Sequence, residues 1–196
     1  MNKHCGTSRI TGCQFSLHPM SDQFVEIILS TLEKADTSKV WKETDDVSTC
    51  IRGRMVHVFD VAKALFLHAA KTGEHIAMNG TFSIGCPGDS EADVYMAETD
   101  HPMNEQNVKG LTQAAGCKFA LYPLGREDYM DKIYEQIDLS KHRNVKVTPA
   151  HYATRLDGDV HDIFRAMHES FDLVQQEVSH VTMTFSLSAN SPSSKK

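Results

Sequence analysis

"GCQFSLHP" at residues 12–19 returns almost unchanged as "GCKFALYP" at residues 116–123. In both stretches Cys, Phe and Leu occupy alternate positions, which is the period of a strand with one buried face. The glycine and the proline also recur at the same places. The chain therefore contains one strand written twice, which predicts an internal duplication.

The similarity between the two halves continues beyond this strand. A T-x-[IL]-x-G motif occurs at residues 49–53 and 154–158, and an H-[IV]-x-M motif occurs at residues 75–78 and 180–183. The offset is 104 residues for the opening strands and 105 afterwards, as one inserted loop residue would produce. We therefore predict a first repeat at residues 1–87, an acidic, irregular linker at 88–115, and a second repeat at 116–196.

Each half shows the order strand, helix, strand, strand, helix, strand. Ser21 or Asp22 is expected to cap the first helix. The apolar stripes of the first helices are expected at Phe24, Ile27, Ile28 and Leu32, and at Tyr129, Ile133 and Ile137 in the second repeat. Polar turn residues separate the two middle strands in both halves and predict a hairpin.

The second helices carry the longest apolar patterns. Their buried positions are predicted to be Phe59, Ala62, Phe66 and Ala69, and Ile163, Met167, Phe171 and Val174. Asp159 follows a turn and is a good candidate for the N-cap. The resulting fold class is α+β, with two tandem ferredoxin-like (βαββαβ, ACT-like) repeats and antiparallel sheets.

A ferredoxin-like unit covers one face of its sheet with helices and leaves the other face open. The open face is predicted to carry Gln14, Ser16, His18, Asn79, Thr81, Ser83, Ala120, Tyr122, Thr182, Thr184 and Ser188. These residues carry too little charge for a fully hydrated surface. We therefore expect sheet-on-sheet packing, either between the repeats or between subunits.

Composition narrows the class of partner. The net charge of −6 does not favour nucleic acid or an anionic membrane, and no apolar run is long enough for a transmembrane helix. The five cysteines form no CxxC pair and fit a reducing compartment, so we expect a cytoplasmic protein. Cys13 and Cys117 are expected to be small core residues.

The sequence predicts neither catalytic nor metal-binding residues. His161 and His168 share one helical face but stand in no triad or HExxH spacing, so we interpret them as surface or capping residues. The scattered histidines and cysteines match no zinc pattern. What remains is a set of uncharged polar residues on strands, which would suit a flat heterocycle with alternating donors and acceptors.

Six stretches carry a resemblance to a known family: "CGTSRITG", "DTSKVW", "HVFDVAKALFLHAAK", "MNGTFSIGCPGD", "LDGDVHDIF" and "HVTMTFSLSANSP". In this order they resemble the YkoF family of thiamin- and hydroxymethylpyrimidine-binding proteins over nearly the whole chain. The resemblance implies reversible binding of thiamin through its hydroxymethylpyrimidine (HMP) part, in HMP salvage or uptake. It also implies a homodimer, a possible transporter component as partner, no cofactor and no catalysis.

The resemblance further implies one ligand site in each repeat. The site residues that it suggests are Ser48, Thr49 and Asn79 in the first repeat and Tyr152, Thr154 and Thr184 in the second. Thr184 replaces Asn79 at the equivalent position, so we expect unequal affinities. Asp36 is a further candidate, because a carboxylate can accept from the pyrimidine amino group, but a solvated loop or an Asx-turn remains an alternative interpretation.

Two other functions stay open at this point. Ferredoxin-like dimers also host enzymes, so turnover of a small heterocycle that depends on His57 or His161 is one alternative. A regulatory module that docks on a transporter is another, and it is compatible with ligand binding.

Overall fold

The computed structural model describes residues 9–85, 94–125 and 143–195. The first repeat has the predicted element order. Its elements are β1 (Thr11–Pro19), α1 (Phe24–Lys34), β2 (Trp41–Thr44), β3 (Thr49–Gly53), α2 (Met55–Ala70) and β4 (Ile76–Ile84).

The second repeat shows the same order in its described part. A 3-10 helix (Val94–Ala97) and α3 (Glu105–Val108) precede it, and its elements are β5 (Ala114–Leu124), β6 (Val145–Ala150), β7 (Ala153–Asp159), α4 (Val160–Gln175) and β8 (His180–Ala189). A last 3-10 helix spans Pro192–Lys195. The predicted helix with Tyr129, Ile133 and Ile137 lies outside the described residues. The α+β class with two ferredoxin-like repeats is confirmed.

The two repeats share one sheet. Its strand order is β2-β3-β1-β4-β8-β5-β7-β6, and every neighbouring pair is antiparallel. β4 pairs with β8 along its whole length, from Ile76 opposite Ala189 to Ile84 opposite Val181. The prediction that one repeat's sheet stacks on the other is therefore wrong. β4 and β8 pair edge to edge instead, and this pairing satisfies the backbone N–H and C=O groups on their outer edges. Stacking between subunits stays a prediction.

Side chains fix the β4–β8 seam from both sides. Gly80 lies opposite Phe185, and a Cβ at Gly80 would lie 2.8 Å from the Gln14 carbonyl oxygen and 2.8 Å from the Phe185 ring. His75 Nε2 lies 3.0 Å from Ser188 Oγ, and the equivalent His180 Nε2 lies 3.4 Å from Ser83 Oγ. The seam therefore carries reciprocal contacts around a pseudo-two-fold axis.

The core lies between the helices and one face of the sheet. All eight positions predicted to be buried on α2 and α4 are buried. Asp159 caps α4 as predicted, with its Oδ1 accepting from the His161 backbone N–H at 2.8 Å. Cys13 and Cys117 are buried in this core, and burial raises the pKa of the Cys117 thiol to about 12, so it stays neutral.

α1 differs from its prediction in two ways. Neither Ser21 nor Asp22 caps it, because Gln23 occupies the N-cap position without a side-chain cap bond. Phe24 in the first turn is 51% exposed. The buried positions are Ile27 and Thr31, one turn apart, so a hydroxyl stands within the apolar stripe.

The segment before β5 packs on the first repeat. Asn104 is fully buried, and its Nδ2 donates to the Asp36 carbonyl and to Asp60 Oδ2, both at 2.9 Å. Its Oδ1 accepts from the Asp36 backbone N–H at 2.7 Å. The described part of the predicted linker is thus held in place, and the domain limits at 87/88 and 115/116 stay a prediction.

Among the described residues, no helix is both long enough and apolar enough to cross a bilayer.

Candidate functional site

A cavity of about 160 Å³ lies in the first repeat, between α1 and the tip of the β2–β3 hairpin. Apolar side chains from three elements form most of its wall: Phe15, Leu17, Ile28, Leu32 and Leu65. The cavity lies on the helix side of the sheet, because α1 and α2 contribute to it.

Threonine hydroxyls supply the polar groups within this apolar wall. Thr49 pairs with Phe15 and therefore points to the helix side. Its Oγ1 lies 3.0 Å from Thr44 Oγ1 on the neighbouring strand. Thr31 of α1 also lines the cavity and is only 2% exposed. Hydroxyls can donate and accept, so they can match both kinds of polar atom on a ring.

The hairpin tip forms an acidic rim. Asp45 Oδ1 accepts from the backbone N–H groups of Val47 and Ser48, both at 2.8 Å. These backbone hydrogen bonds, that from Ser48 first, hold the pKa of Asp45 below its usual value. Asp46 lies next to it on the same rim. The rim is therefore negatively charged at neutral pH and favours a cationic group.

Ser48 lies at this rim and also fixes the tip. Its Oγ accepts from Gln14 Nε2 at 2.9 Å, while Ser16 Oγ donates to the Val47 carbonyl at 2.9 Å. Both contacts tie the hairpin tip to β1 and hold the mouth of the cavity in shape.

Asn79 and Thr184 lie on the opposite face of the sheet. Asn79 pairs with Ser16 and Ser186, and its side chain is exposed. Thr184 pairs with Thr81 and is exposed on the same open face. The structure does not bring either residue into the cavity with Thr49, because successive strand residues point to opposite faces.

Asp36 also lies away from this cavity. Its Oδ1 accepts from the Ser38 backbone N–H at 2.9 Å, which is the Asx-turn that the sequence left as an alternative. That backbone hydrogen bond is the main cause that lowers the pKa of Asp36. Its carboxylate therefore serves its own loop in this structure.

The second-repeat candidates Tyr152 and Thr154 occupy the equivalent hairpin. Thr154 pairs with Phe119, as Thr49 pairs with Phe15, and is 7% exposed. Tyr152 stands at the hairpin tip with a φ of 61° and is 99% exposed. The helix expected to close a second cavity falls outside the described residues.

Sequence reasoning missed part of the first-repeat cavity. Thr31, Thr44, Asp45 and Asp46 line it and were not predicted. The hairpin register offered one usable signal, because a four-residue turn before Thr49 places Thr44 opposite it. Across the described ranges, no group of three or more His, Cys, Asp or Glu side chains is placed to hold a metal ion.

The repeats also match a protein-family model. The model of the YKOF-related family matches residues 10–89 and again residues 114–194. The chain belongs to this family. The same family assignment confirms the resemblance seen in the sequence and the duplication behind it.

A curated relative supports the assignment over the full length. The chain is 53% identical over 195 residues to a Bacillus subtilis (strain 168) protein named "Putative HMP/thiamine-binding protein YkoF", covering 100% of this chain and 98% of the relative.

Solved structures match in part. One is a Streptococcus pneumoniae protein at 19% identity and a TM-score of 0.39, covering 42% of this chain and 92% of that one. Another is a hypothetical protein of Methanocaldococcus jannascii at 22% identity and a TM-score of 0.37, covering 38% and 78%.

Proposed function

We propose that the first-repeat cavity reversibly binds thiamin through its HMP part, in HMP salvage or uptake. The observation that carries this proposal is the combination of a small apolar cavity, three threonine hydroxyls and an acidic rim. The name of the Bacillus subtilis relative supports the same class of ligand. Binding without turnover is part of the proposal.

The cavity suits a single small ring. Drug-sized sites usually occupy roughly 300–1,000 Å³, whereas this cavity has about 160 Å³. Ile28, Leu17 and Leu32 would contact the faces of a pyrimidine. Thr31, Thr44 and Thr49 would pair with its ring nitrogens and amino group.

The rim suits the other half of thiamin. Thiazolium carries a positive charge, and Asp45 and Asp46 at the mouth are carboxylates. A ring buried in the cavity would leave the thiazolium at this rim, where attraction is screened by water. We therefore propose that thiamin binds with its pyrimidine ring inside the cavity and its thiazolium ring at the rim.

The expected affinity is modest. HMP has about ten heavy atoms, and at roughly 0.5–0.8 kcal/mol per atom its Kd would fall between about millimolar and micromolar. Such a range fits reversible capture better than tight storage.

A second, unequal site is proposed in the second repeat, with Thr154 in the place of Thr49 and Tyr152 at the tip. We also propose that Asn79 and Thr184 contribute to the open face through which two chains would form a homodimer, instead of contacting ligand. Docking on a transporter component stays a proposal of the same kind, as does a cytoplasmic location.

Calorimetric titration of the purified protein with thiamin and with HMP tests the binding proposal. We expect saturable binding of both and a rise in Tm with ligand. Absence of heat and of a Tm shift with both ligands at millimolar concentration would refute it. A parallel assay for conversion of either ligand tests the absence of turnover.

A further inference from the structure

A larger cavity of about 390 Å³ lies between the two repeats, on the helix side of the sheet. α2 and α4 form its walls, and the segment around α3 closes one side through Glu105 and Lys109. Its volume falls within the range of roughly 300–1,000 Å³ usual for small-molecule sites. Among the described residues, it shares no lining residue with the first-repeat cavity.

Equivalent positions of the two repeats face each other across this cavity. With the offset of 105 residues, the four lining pairs are Val56 with His161, Phe59 with Phe164, Asp60 with Arg165, and Lys63 with His168. One pair has kept its aromatic ring and the other three have changed chemistry. The α2 wall therefore carries an acidic group, a basic group and apolar side chains, whereas the α4 wall carries a phenylalanine together with basic or imidazole groups.

Asp60, which lines this cavity, carries an unsatisfied acceptor. It is only 4% exposed, and its Oδ2 accepts from the backbone N–H groups of Met103 and Asn104 and from Asn104 Nδ2. Its Oδ1 has no hydrogen-bond partner in the described part of the chain, and Lys63 Nζ lies 3.8 Å away. A buried carboxylate oxygen without a donor is costly, so a ligand N–H would be favoured here.

His161 adds a second unsatisfied atom. Its Nε2 is buried and finds no hydrogen-bond partner within the described residues. An imidazole nitrogen can donate or accept according to its tautomer, so it can adapt to a ring nitrogen or an amino group. Asp60 and His161 thus offer two polar contacts from opposite walls.

Aromatic stacking links the two walls. The Phe59 ring lies parallel to Phe82 with centroids 4.0 Å apart, and its other neighbour His168 stacks at 4.7 Å. Burial lowers the pKa of His168, so this imidazole is neutral at pH 7. Because Phe59 belongs to α2 and His168 to α4, this stack links the two walls and opposes collapse of the cavity.

Cationic side chains outnumber carboxylates among the residues that line the cavity. Lys63, Lys109 and Arg165 line it, against Asp60 and Glu105. Arg165 pairs with Asp162 at 2.8 Å, whereas Lys63 makes only a longer contact of 3.8 Å to Asp60 Oδ1, and three N–H donors already stabilise the Asp60 charge through Oδ2. Lys63 and Lys109 are therefore the groups best placed to bind an anion such as a phosphate ester.

We propose that the cavity between the repeats is a second type of binding site, for a phosphorylated heterocyclic amine. Asp60 Oδ1 accepts from the amino group, His161 Nε2 contacts the ring, and Lys63 and Lys109 bind the phosphate. Such a site would let one chain respond to both a vitamin-type ligand and a phosphorylated metabolite.

Calorimetric titration with adenosine 5′-monophosphate tests this site, and adenosine and inorganic phosphate are titrated beside it. Thiamin monophosphate is titrated in the presence of saturating HMP, so that the first-repeat cavity is occupied. These two phosphorylated probes distinguish a nucleotide from a thiamin-type ligand. We expect at least one to bind at a single site, and to bind more tightly than adenosine or phosphate alone.

Variants locate the binding. Lys109→Glu and His161→Ala should each weaken the bound probe by roughly tenfold or more, while Lys42→Glu, the same charge change at an exposed position of β2, should not. Thr49→Val, which should weaken thiamin binding in the first-repeat cavity, should leave binding of the phosphorylated probe intact. Failure of the present proposal can therefore be distinguished from failure of the thiamin-binding proposal. Absence of binding by both phosphorylated probes, or binding insensitive to both variants, would overturn the proposal. Adenosine binding as tightly as its monophosphate would also overturn it.

Discussion

The β2–β3 and β6–β7 hairpins share a register but differ in chemistry. Thr44 pairs with Thr49 in the first hairpin, and Pro149 pairs with Thr154 in the second. The first tip carries two aspartates, whereas Ala150 and His151 hold the equivalent positions. The strand pairing of each hairpin depends on backbone hydrogen bonds and on alternating apolar residues. The two repeats can therefore keep the same pairing while the residues at the hairpin tips diverge.

The seam shows a second difference of the same kind. Gly80 on β4 and Phe185 on β8 are equivalent residues, and they lie directly opposite each other. One repeat supplies the ring and the other supplies the space for it. The two copies are therefore no longer interchangeable, and four changes test how far they have diverged.

Gly80→Ala should have the largest effect on stability. Its Cβ would lie 2.8 Å from the Gln14 carbonyl oxygen and 2.8 Å from Phe15 Cβ, so the backbone would have to move. We expect a loss of about 1–3 kcal/mol in the free energy of unfolding, measured by urea denaturation. Gly12→Ala is the matched control, because the nearest atom to its Cβ would be 3.9 Å away. Equal effects of the two changes would contradict this account of the seam.

Thr49→Val against Thr154→Val tests which hairpin dominates binding. The valine keeps the shape of the side chain but leaves a ligand polar group unpaired, at a cost of roughly 1–3 kcal/mol. We expect Thr49→Val to weaken the tighter thiamin site by about tenfold, and Thr154→Val to spare it. Calorimetry measures both, and Asn79→Ala on the open face should leave the first-repeat cavity unaffected. Loss of thiamin binding in Asn79→Ala would show that the ligand binds on the open face of the sheet instead.

Asp45→Asn with Asp46→Asn should have a smaller effect, and only on the cationic ligand. Asparagine can still accept the two backbone hydrogen bonds at the tip, so mainly charge is removed. We expect thiamin to bind a few-fold more weakly, HMP to bind unchanged, and the salt dependence of thiamin binding to shrink. The reverse change, Ala150→Asp with His151→Asp, should strengthen thiamin binding at the second hairpin. Equal weakening of thiamin and HMP would show that the rim acts through shape and not through charge.

His168→Phe should have the smallest effect, confined to acidic pH. Burial lowers the pKa of His168 in the folded chain, so the unfolded chain binds the proton more readily. Its contribution to stability is present above about pH 6.5, the ordinary pKa of an unfolded histidine, and is lost as the pH falls from there through the lower pKa of the folded chain. Phenylalanine keeps the stack on Phe59 without titrating, so the fall in stability between pH 7.5 and 5.5 should become shallower. His151→Gln at the exposed tip of the β6–β7 hairpin is the control. An unchanged pH profile for His168→Phe would contradict the assignment.

Much of the fold could be predicted because it depends on local patterns. Alternation located the strands, and Asp159 was recognised as a cap because capping uses residues close in sequence. The pairing of β4 with β8 could not be predicted in this way, since no local pattern in either strand indicates which strand pairs with its free edge. Gly80 carried a hint, because glycine inside a strand often marks a close approach.

The site was only partly predictable for a related reason. Thr49 stood out because its motif is repeated, whereas Thr31 enters the cavity through the packing of α1 on the sheet. The family resemblance groups Asn79 with Thr49, and both are uncharged polar residues on strands. Strand alternation assigns each residue to a face, but only the packed helices show which face holds a cavity.

The edge-to-edge seam also bears on how the chain avoids aggregation. Two separate four-stranded sheets would expose four edges, while in the joined sheet the outermost of the described strands are β2 and β6. β2 is four residues long and carries exposed Lys42 and Glu43, and β6 contains Pro149. Short, charged or proline-containing edges are poor templates for adding further strands. The duplicated chain thus pairs the β4 and β8 edges with each other inside the sheet. The strands that remain at its two edges, β2 and β6, are poor templates for polymerisation.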